Sequence, residues 1–328
     1  MSESKSFVAA PYIREIGRGK QGARNLDRDQ AAALYTAMLE RRLSDLELGA
    51  ILLAMRIKGE SAEELTGFLQ AAHAHCEKIS AAKTEFAPIV IPSYNGARKK
   101  LNLTPLLAGL LARAGAPVLV HGVMQDVGRV CSAEIFQALD WPVLQSVTQF
   151  DACQTNRLPA FMPVSVLSPQ LADLLNLRRV LGVRNSTHTV VKLLQPFVSP
   201  ALRLFSYTHP EYLALMREFL PDYLTPMQGD LLLMRATEGE VVANVERCQQ
   251  IDRYSSGFSE TLAPKQVQMS ESVFNLPASF DAQTTAVWIR AVLNDEMPVP
   301  ENLQMQVALC LDISRQIQLR TRDELKHT

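Results

Sequence analysis

From Pro88 to Leu139 the chain alternates short apolar runs with longer amphipathic ones, and this alternation restricts the fold more than any other feature. Pro88-Ile-Val-Ile91 reads as a strand, followed by the turn residues Pro92-Ser-Tyr-Asn-Gly96. Thr104 to Ala114 is helical, Pro117-Val-Leu-Val-His121 reads as a second strand, and Ser132 to Leu139 as a second helix. A strand, a helix and a strand in that order need a crossover connection, so the strands run parallel and helices cover the sheet. Further on, Ser168 to Leu194 looks helical, Ala201 to Ser206 strand-like, Pro210 to Leu220 helical, and Leu231 to Met234 strand-like.

Before Lys83 the pattern is helical only. Asp27 or Asp29 can cap a helix through Glu40, with Ala33, Leu34, Ala37 and Met38 at helical spacing. Ser44 with Glu47 forms a capping box that opens a helix to about Lys58, ended by Gly59; Ser61 with Glu64 opens another over Ala62 to Lys78. The expected fold is therefore α/β, with a small all-helical domain ahead of a larger domain built on a mainly parallel sheet. With 328 residues, 47% of them hydrophobic and 20% charged, the chain has material for about two domains and is a poor candidate for disorder or coiled coil.

Met1 to Ser6 is polar, and no apolar run approaches the roughly 20 residues of a membrane span, so a soluble protein without a membrane partner is expected. Cys76, Cys131, Cys153, Cys248 and Cys310 are odd in number and contain no Cys-x-x-Cys pair. That argues against a disulfide framework or a zinc site and for the reducing cytoplasm.

The net charge of −1 conceals a division. Phe86 to Pro210 holds 11 basic and 5 acidic residues, whereas Glu211 to Thr328 holds 10 basic and 17 acidic. Phe86 to Gln125 and Leu174 to Pro210 contain no Asp or Glu at all. Such asymmetry hints at a polyanionic partner, although uneven loop charge would give the same pattern.

The run Arg42 to Ser61, with Asn102-Leu-Thr104, His121-Gly122, Gly182-Val-Arg184 and Pro196, resembles the anthranilate phosphoribosyltransferases and nucleoside phosphorylases of glycosyltransferase family 3. The resemblance implies a small helical domain over 1–84, to which 166–196 returns, and a large α/β domain over 85–165 and 197–328. It further implies an active site in the cleft between them and a homodimer formed through the small domain.

The motifs that carry the family's chemistry are replaced. The Gly-Thr-Gly-Gly-Asp loop that grips pyrophosphate becomes Pro92-Ser93-Tyr94-Asn95-Gly96, where proline removes a donor and tyrosine adds bulk. The lysine before His121 becomes Val120, and the hydroxyl pair that follows becomes Val127 and Gly128. The two metal-binding carboxylates fall on Val241 and Val242, which offer no oxygen to a hard cation; Glu238 and Glu240 lie nearby at the wrong offset. Loss of phosphoribosyl transfer is therefore expected, with no catalytic residues, cofactor or metal.

In their place stand polar and basic residues. The combination of Pro-Ser-Tyr-Asn-Gly-Ala-Arg-Lys, His-Gly-Val and Gly-Val-Arg-Asn-Ser-x-His-Thr resembles the YbiB-type branch of this family. That resemblance implies a homodimer that binds single-stranded DNA or RNA without strong sequence preference. The candidate contacts are Tyr94, Asn95, Arg98, Lys99, Lys100, His121, Arg178, Arg179, Arg184 and Lys192, expected to line one interdomain cleft, with Tyr94 as a stacking ring. Arg18, Lys20 and Arg24, in a Gly-rich and therefore mobile leader with Arg14, would extend the track between subunits; a leader that merely happens to be basic explains them equally well. The acidic C-terminal third is expected to lie elsewhere. An active glycosyltransferase with an altered substrate, or a regulatory small-molecule binder using the same cleft, are the competing readings.

Overall fold

The computed structural model describes residues 7–19, 21–266 and 276–324. Its centre is a seven-stranded sheet: β1 (Ile89–Ser93), β2 (Val118–Gly122), β3 (Ala160–Pro163), β4 (Leu202–Tyr207), β5 (Leu231–Arg235), β6 (Ile251–Ser255) and β7 (Phe258–Ala263). The spatial order is β3-β2-β1-β4-β5-β6-β7, with β1 to β5 parallel and β6 and β7 antiparallel.

Alternation along each strand sends side chains to two separate cores. Val90, Leu119, Met162, Phe205 and Leu233 face the helical domain, in one continuous cluster with Leu34, Leu52, Leu65 and Phe68. Ile89, Ile91, Val118, Val120, Phe161, Leu204 and Leu232 face the other way, toward helices Thr104–Arg113, Ser132–Ala138, Ala282–Leu293 and Glu301–Glu324. A sheet covered on both faces explains why its central strands are apolar throughout.

The three N-terminal caps form as expected. Asp27, Ser44 and Ser61 accept from the backbone N–H groups of Gln30, Glu47 and Glu64, opening helices Arg28–Leu39, Asp45–Lys58 and Ala62–Ala74. The stretch 168–194 is not one helix. It breaks into Pro169–Asn176, Arg178–Leu181 and Thr187–Val190, because Gly182 takes a left-handed conformation (φ 72°) that terminates the second segment. Thr187 Oγ1 accepts from Tyr35 Oη at 2.9 Å, and Arg41 pairs with Asp173, so this region packs on the N-terminal helices.

Three strands escaped the sequence reading. β3 is only Ala-Phe-Met-Pro, and β6 and β7 are largely polar. The polarity of β6 follows from its partners: Arg253 donates to the buried Asp230 through Nε and Nη2 (2.9 and 2.6 Å), and Arg320 of the last helix reaches the other oxygen at 2.6 Å.

The strand order reverses between β1 and β4, and such a switch point opens a crevice at the carboxyl ends of the strands. β1 pairs with β4 only at Ile89 and Val90 and then parts from it. Pro92 lies beyond that point, so its missing N–H interrupts no ladder to β4. On the other side β1 stays in register with β2 through Ser93 and Gly122. A Cβ on Gly122 would lie 1.7 Å from the Ser93 carbonyl oxygen, so only glycine lets these two strand ends lie together.

Candidate nucleic-acid interface

A cleft of about 1160 Å³ opens at the ends of β1, β2 and β3, walled by the 123–130 loop and by the segment from Pro163 to Arg179. Four arginines line it: Arg98, Arg129, Arg178 and Arg179. Arg184 stands beside them. Burial lowers its pKa, and repulsion from Arg178 and Arg129 lowers it further, so the three guanidinium groups share one local field. Arg178 is paired with Asp126 at 3.1 Å, and Arg129 Nη1 donates to the carbonyls of Gly96 (3.1 Å) and Glu238 (3.3 Å). Among the described residues the side chains of Arg98 and Arg179 make no ion pair and remain available.

The cleft is not acid-free. Asp126, Glu134 and Asp281 also line it. Two of these are committed to helix starts: Glu134 accepts from Cys131 N–H, and Asp281 accepts from Thr284 N–H and the hydroxyls of Ser279 and Thr284, which hold its pKa far below the usual carboxylate range.

The expected run of three cations is split by its loop. Arg98 faces the cleft, whereas Lys99 and Lys100 border a second cavity of about 150 Å³ with Leu101, Val242, Leu276 and Phe280. Lys100 is tied to Glu246 at 2.5 Å.

Tyr94, Asn95 and His121 do not present themselves to a ligand as the sequence suggested. Tyr94 is 4% exposed and its hydroxyl lies 2.7 Å from His121 Nδ1, so the ring has no open face for a base. His121 is fully buried; burial pushes its pKa down to about 3 and keeps the ring neutral. Asn95 is also buried: its Nδ2 donates to the Gly239 carbonyl at 2.6 Å and its Oδ1 accepts from Arg184. Lys192 is half-buried beside this group and does not line the cleft. Burial lowers its amine to about 8, against the opposing influence of Glu240.

The acidic C-terminal third is not remote from the basic middle. Glu240 Oε1 accepts from the backbone N–H groups of Asn95 (2.9 Å) and Gly96 (2.6 Å), and Glu238 Oε2 accepts from those of Arg98 (3.2 Å) and Lys99 (3.1 Å). Gly239 (φ 97°) lets this turn press on Asn95, since a Cβ there would approach the Asn95 side chain to 2.8 Å. The loop at the family's pyrophosphate position thus directs its N–H groups at the chain's own carboxylates. A phosphate would have to displace them.

Nor do the residues at the family's metal positions fit a divalent cation. Val241 and Val242 are 1% exposed and belong to the apolar core; one oxygen of Glu238 and one of Glu240 are turned to main-chain amides, and the other oxygen of Glu240 is buried without a hydrogen-bond partner among the described residues. The carboxylates weighed as replacement ligands act as loop anchors.

The N-terminal basic segment is more ordered than its glycines suggested. Arg14 lies in helix Ala10–Ile16; Arg18 pairs with Glu15 at 2.8 Å and Arg24 with the same residue at 3.7 Å. Backbone bonds from Ala23 N–H to the Gly19 carbonyl and from Arg24 N–H to the Glu15 carbonyl close the turn. Arg18 and Arg24 do not line the cleft, and Lys20 lies outside the described residues. Cleft residues that carry no signal in the sequence include Arg129, isolated in a loop, the carboxylates of Asp126, Glu134 and Asp281, and Phe280, far from every basic cluster.

Comparison with known proteins places this geometry in a lineage. Residues 10–76 match the family "Glycosyl transferase family, helical bundle domain". The Escherichia coli (strain K12) protein YbiB, itself uncharacterised, is 46% identical over 300 residues, covering 91% of this chain and 92% of that protein. Anthranilate phosphoribosyltransferase of Methanopyrus kandleri is 26% identical over 288 residues, covering 84% of this chain and 81% of its own. Among solved structures, anthranilate phosphoribosyltransferase of Thermus thermophilus superimposes with a TM-score of 0.64 at 19% identity, covering 93% of this chain and 95% of that one. The Saccharomyces cerevisiae enzyme in complex with PRPP and Mg gives 0.69 at 12% identity, covering 94% and 89%. Those structural likenesses carry the fold, and the 46% identity carries the closer kinship: the chain belongs to the anthranilate phosphoribosyltransferase-like superfamily of glycosyltransferase family 3, as a homologue of YbiB.

Proposed function

We propose that this protein is a homodimeric binder of single-stranded nucleic acid, largely indifferent to sequence, built on a phosphoribosyltransferase scaffold that no longer transfers phosphoribosyl groups. The observation that carries the reading is the convergence of Arg98, Arg129, Arg178 and Arg179 on one cleft whose neighbouring phosphate loop is closed by Glu238 and Glu240. Arginines spaced around a groove suit a chain of phosphates, each contact releasing condensed counterions. The cleft's volume of about 1160 Å³ exceeds the usual range for a single small ligand, roughly 300–1,000 Å³, and suits several linked nucleotides.

Assembly as a dimer is supported by a separate feature. On helix Asp45–Lys58, Leu46 (84% exposed), Ala50, Leu53 (48%) and Ile57 (56%) fall at intervals of four, three and four residues and form one uncovered apolar stripe. A continuous stripe of this kind marks an interaction face more often than scattered exposed residues do.

The test is fluorescence anisotropy with labelled single-stranded oligonucleotides across a salt series. Affinity should fall steeply between about 50 and about 200 mM salt. The double variant Arg98→Ala/Arg179→Ala should weaken binding to every sequence alike and reduce the log–log salt slope by roughly 1.4, at about 0.7 per lost single-strand phosphate contact. Absence of binding at low salt, or a binding constant indifferent to salt, would overturn the proposal.

A further inference from the structure

Among the described residues the cleft is lined by the rings of Tyr94, His188 and Phe280; His188 is half-buried with Nδ1 against Asn185, and Tyr94, the ring that sequence motifs point to, is buried. Tyr94 is 4% exposed and engaged with His121. Phe280 is 38% exposed. Among the described residues it is also the one shared by both cavities: it lines the large cleft with Arg98 and Arg179 and the small cavity with Lys99 and Lys100. An exposed phenylalanine between two groups of cations is unfavourably placed for a protein that binds inorganic anions alone, because its ring interrupts the polar surface. It is well placed for a ligand that alternates anionic and flat apolar parts.

The chain next to the ring is held by a helix cap. Asp281 caps helix Ala282–Leu293 by accepting from Thr284 N–H at 2.8 Å, and it also accepts from Ser279 Oγ at 2.5 Å and Thr284 Oγ1 at 2.7 Å. The chain directly after Phe280 is thereby anchored, and Ser279 before it is tied to the same carboxylate, so less freedom is lost when a base settles on the ring.

Building on the nucleic-acid reading above, we infer that Phe280 is the stacking platform for a nucleobase, and that a strand bound in the cleft passes it on the way from the Arg98 and Arg179 side toward Lys99 and Lys100. The ring sees a base through its π face, which all four bases possess, so it adds affinity without adding sequence preference. The phosphates on either side of the stacked base fall to the two groups of cations.

The experiment compares binding of a fluorescein-labelled oligothymidylate with binding of an abasic oligonucleotide of equal length, to the full-length wild-type protein and to Phe280→Ala, Phe280→Leu and Arg98→Ala/Arg179→Ala. Thermal melting confirms that each variant is folded. Phe280→Ala should lose about 5-fold or more in affinity for the oligothymidylate, keep its affinity for the abasic strand, and leave the salt slope unchanged. Phe280→Leu, which retains an apolar side chain without the π face, should also lose affinity. Equal losses on both strands, or no loss while the arginine variant loses on both, would overturn the stacking role and leave the nucleic-acid reading intact. No loss in any variant would overturn both.

Discussion

Replacing Glu240 tests the feature that most separates this chain from a phosphate-gripping enzyme. The side chain is 1% exposed, and one of its oxygens accepts from two backbone N–H groups, at 2.9 Å from Asn95 and 2.6 Å from Gly96. Hydrogen bonds to an ionised acceptor contribute about 1.5–3 kcal/mol each, offset by several kcal/mol for desolvating the carboxylate. In Glu240→Ala the desolvation cost disappears, but two buried amides lose their acceptor and Lys192 loses the acid that offsets its burial, for a net destabilisation of about 3–5 kcal/mol. Glu240→Gln keeps a carbonyl oxygen at the same place and should cost about 1–2 kcal/mol. For a chain of this size the alanine variant should melt roughly 4–7 °C lower. Urea unfolding measures the difference, and amide hydrogen exchange locates it, with faster exchange expected at Asn95 and Gly96. The Lys192 amine supplies an independent readout. Burial lowers it from 10.5 to about 8 in the folded chain, so between those values the unfolded state binds more protons and stability rises with pH. Because Glu240 favours the charged amine, its removal should lower this value further and start the rise below pH 8. An alanine variant with wild-type midpoint, exchange and pH profile would refute the assignment of Glu240 as the loop's anchor.

Two further outcomes bear on the site and the assembly. Tyr94→Phe removes the partner of His121 Nδ1 and should lower stability by about 1–2 kcal/mol in urea unfolding while leaving oligonucleotide affinity unchanged; weakened binding at unchanged stability would restore Tyr94 to the interface. Leu53→Asp with Ile57→Asp places two charges on the exposed apolar stripe and should convert a dimer to a monomer in sedimentation velocity. A wild-type protein that sediments as a monomer, or a variant that stays dimeric, would remove that face from consideration.

What could be read in the sequence was what is decided locally. Asp27, Ser44 and Ser61 announce their helices because a cap and its N3 residue are three positions apart. Ile89 to Ile91 and Val118 to Val120 announce strands because a strand buried on both faces is apolar throughout. Arg253 conceals β6, since a buried arginine in a strand is intelligible only once Asp230 and Arg320 are beside it. The same limit applies to the site. Lys99 and Lys100 are adjacent to Arg98 in the chain, but the loop turns them toward another cavity. Glu238 and Glu240 looked like misplaced metal ligands because their partners are some 140 residues away in the chain. Phe280 carries no local signal at all, as its significance comes from sharing a wall with distant arginines.

The internal closure of the 94–100 loop also bears on how fast a ligand can arrive. A phosphate loop that becomes ordered only around its anion must either wait for a rare closed form or rearrange after contact, and both slow association. Here Glu238 and Glu240 hold the rim in place before any ligand approaches. For a nucleic-acid strand bound as proposed, the ordering entropy at the moment of encounter would fall almost wholly on the strand, and association would proceed at the rate that diffusion and the arginine field allow. Such a protein would gain its residence time from the number of phosphates it holds at once, so lengthening the strand should slow its departure far more than it hastens its arrival.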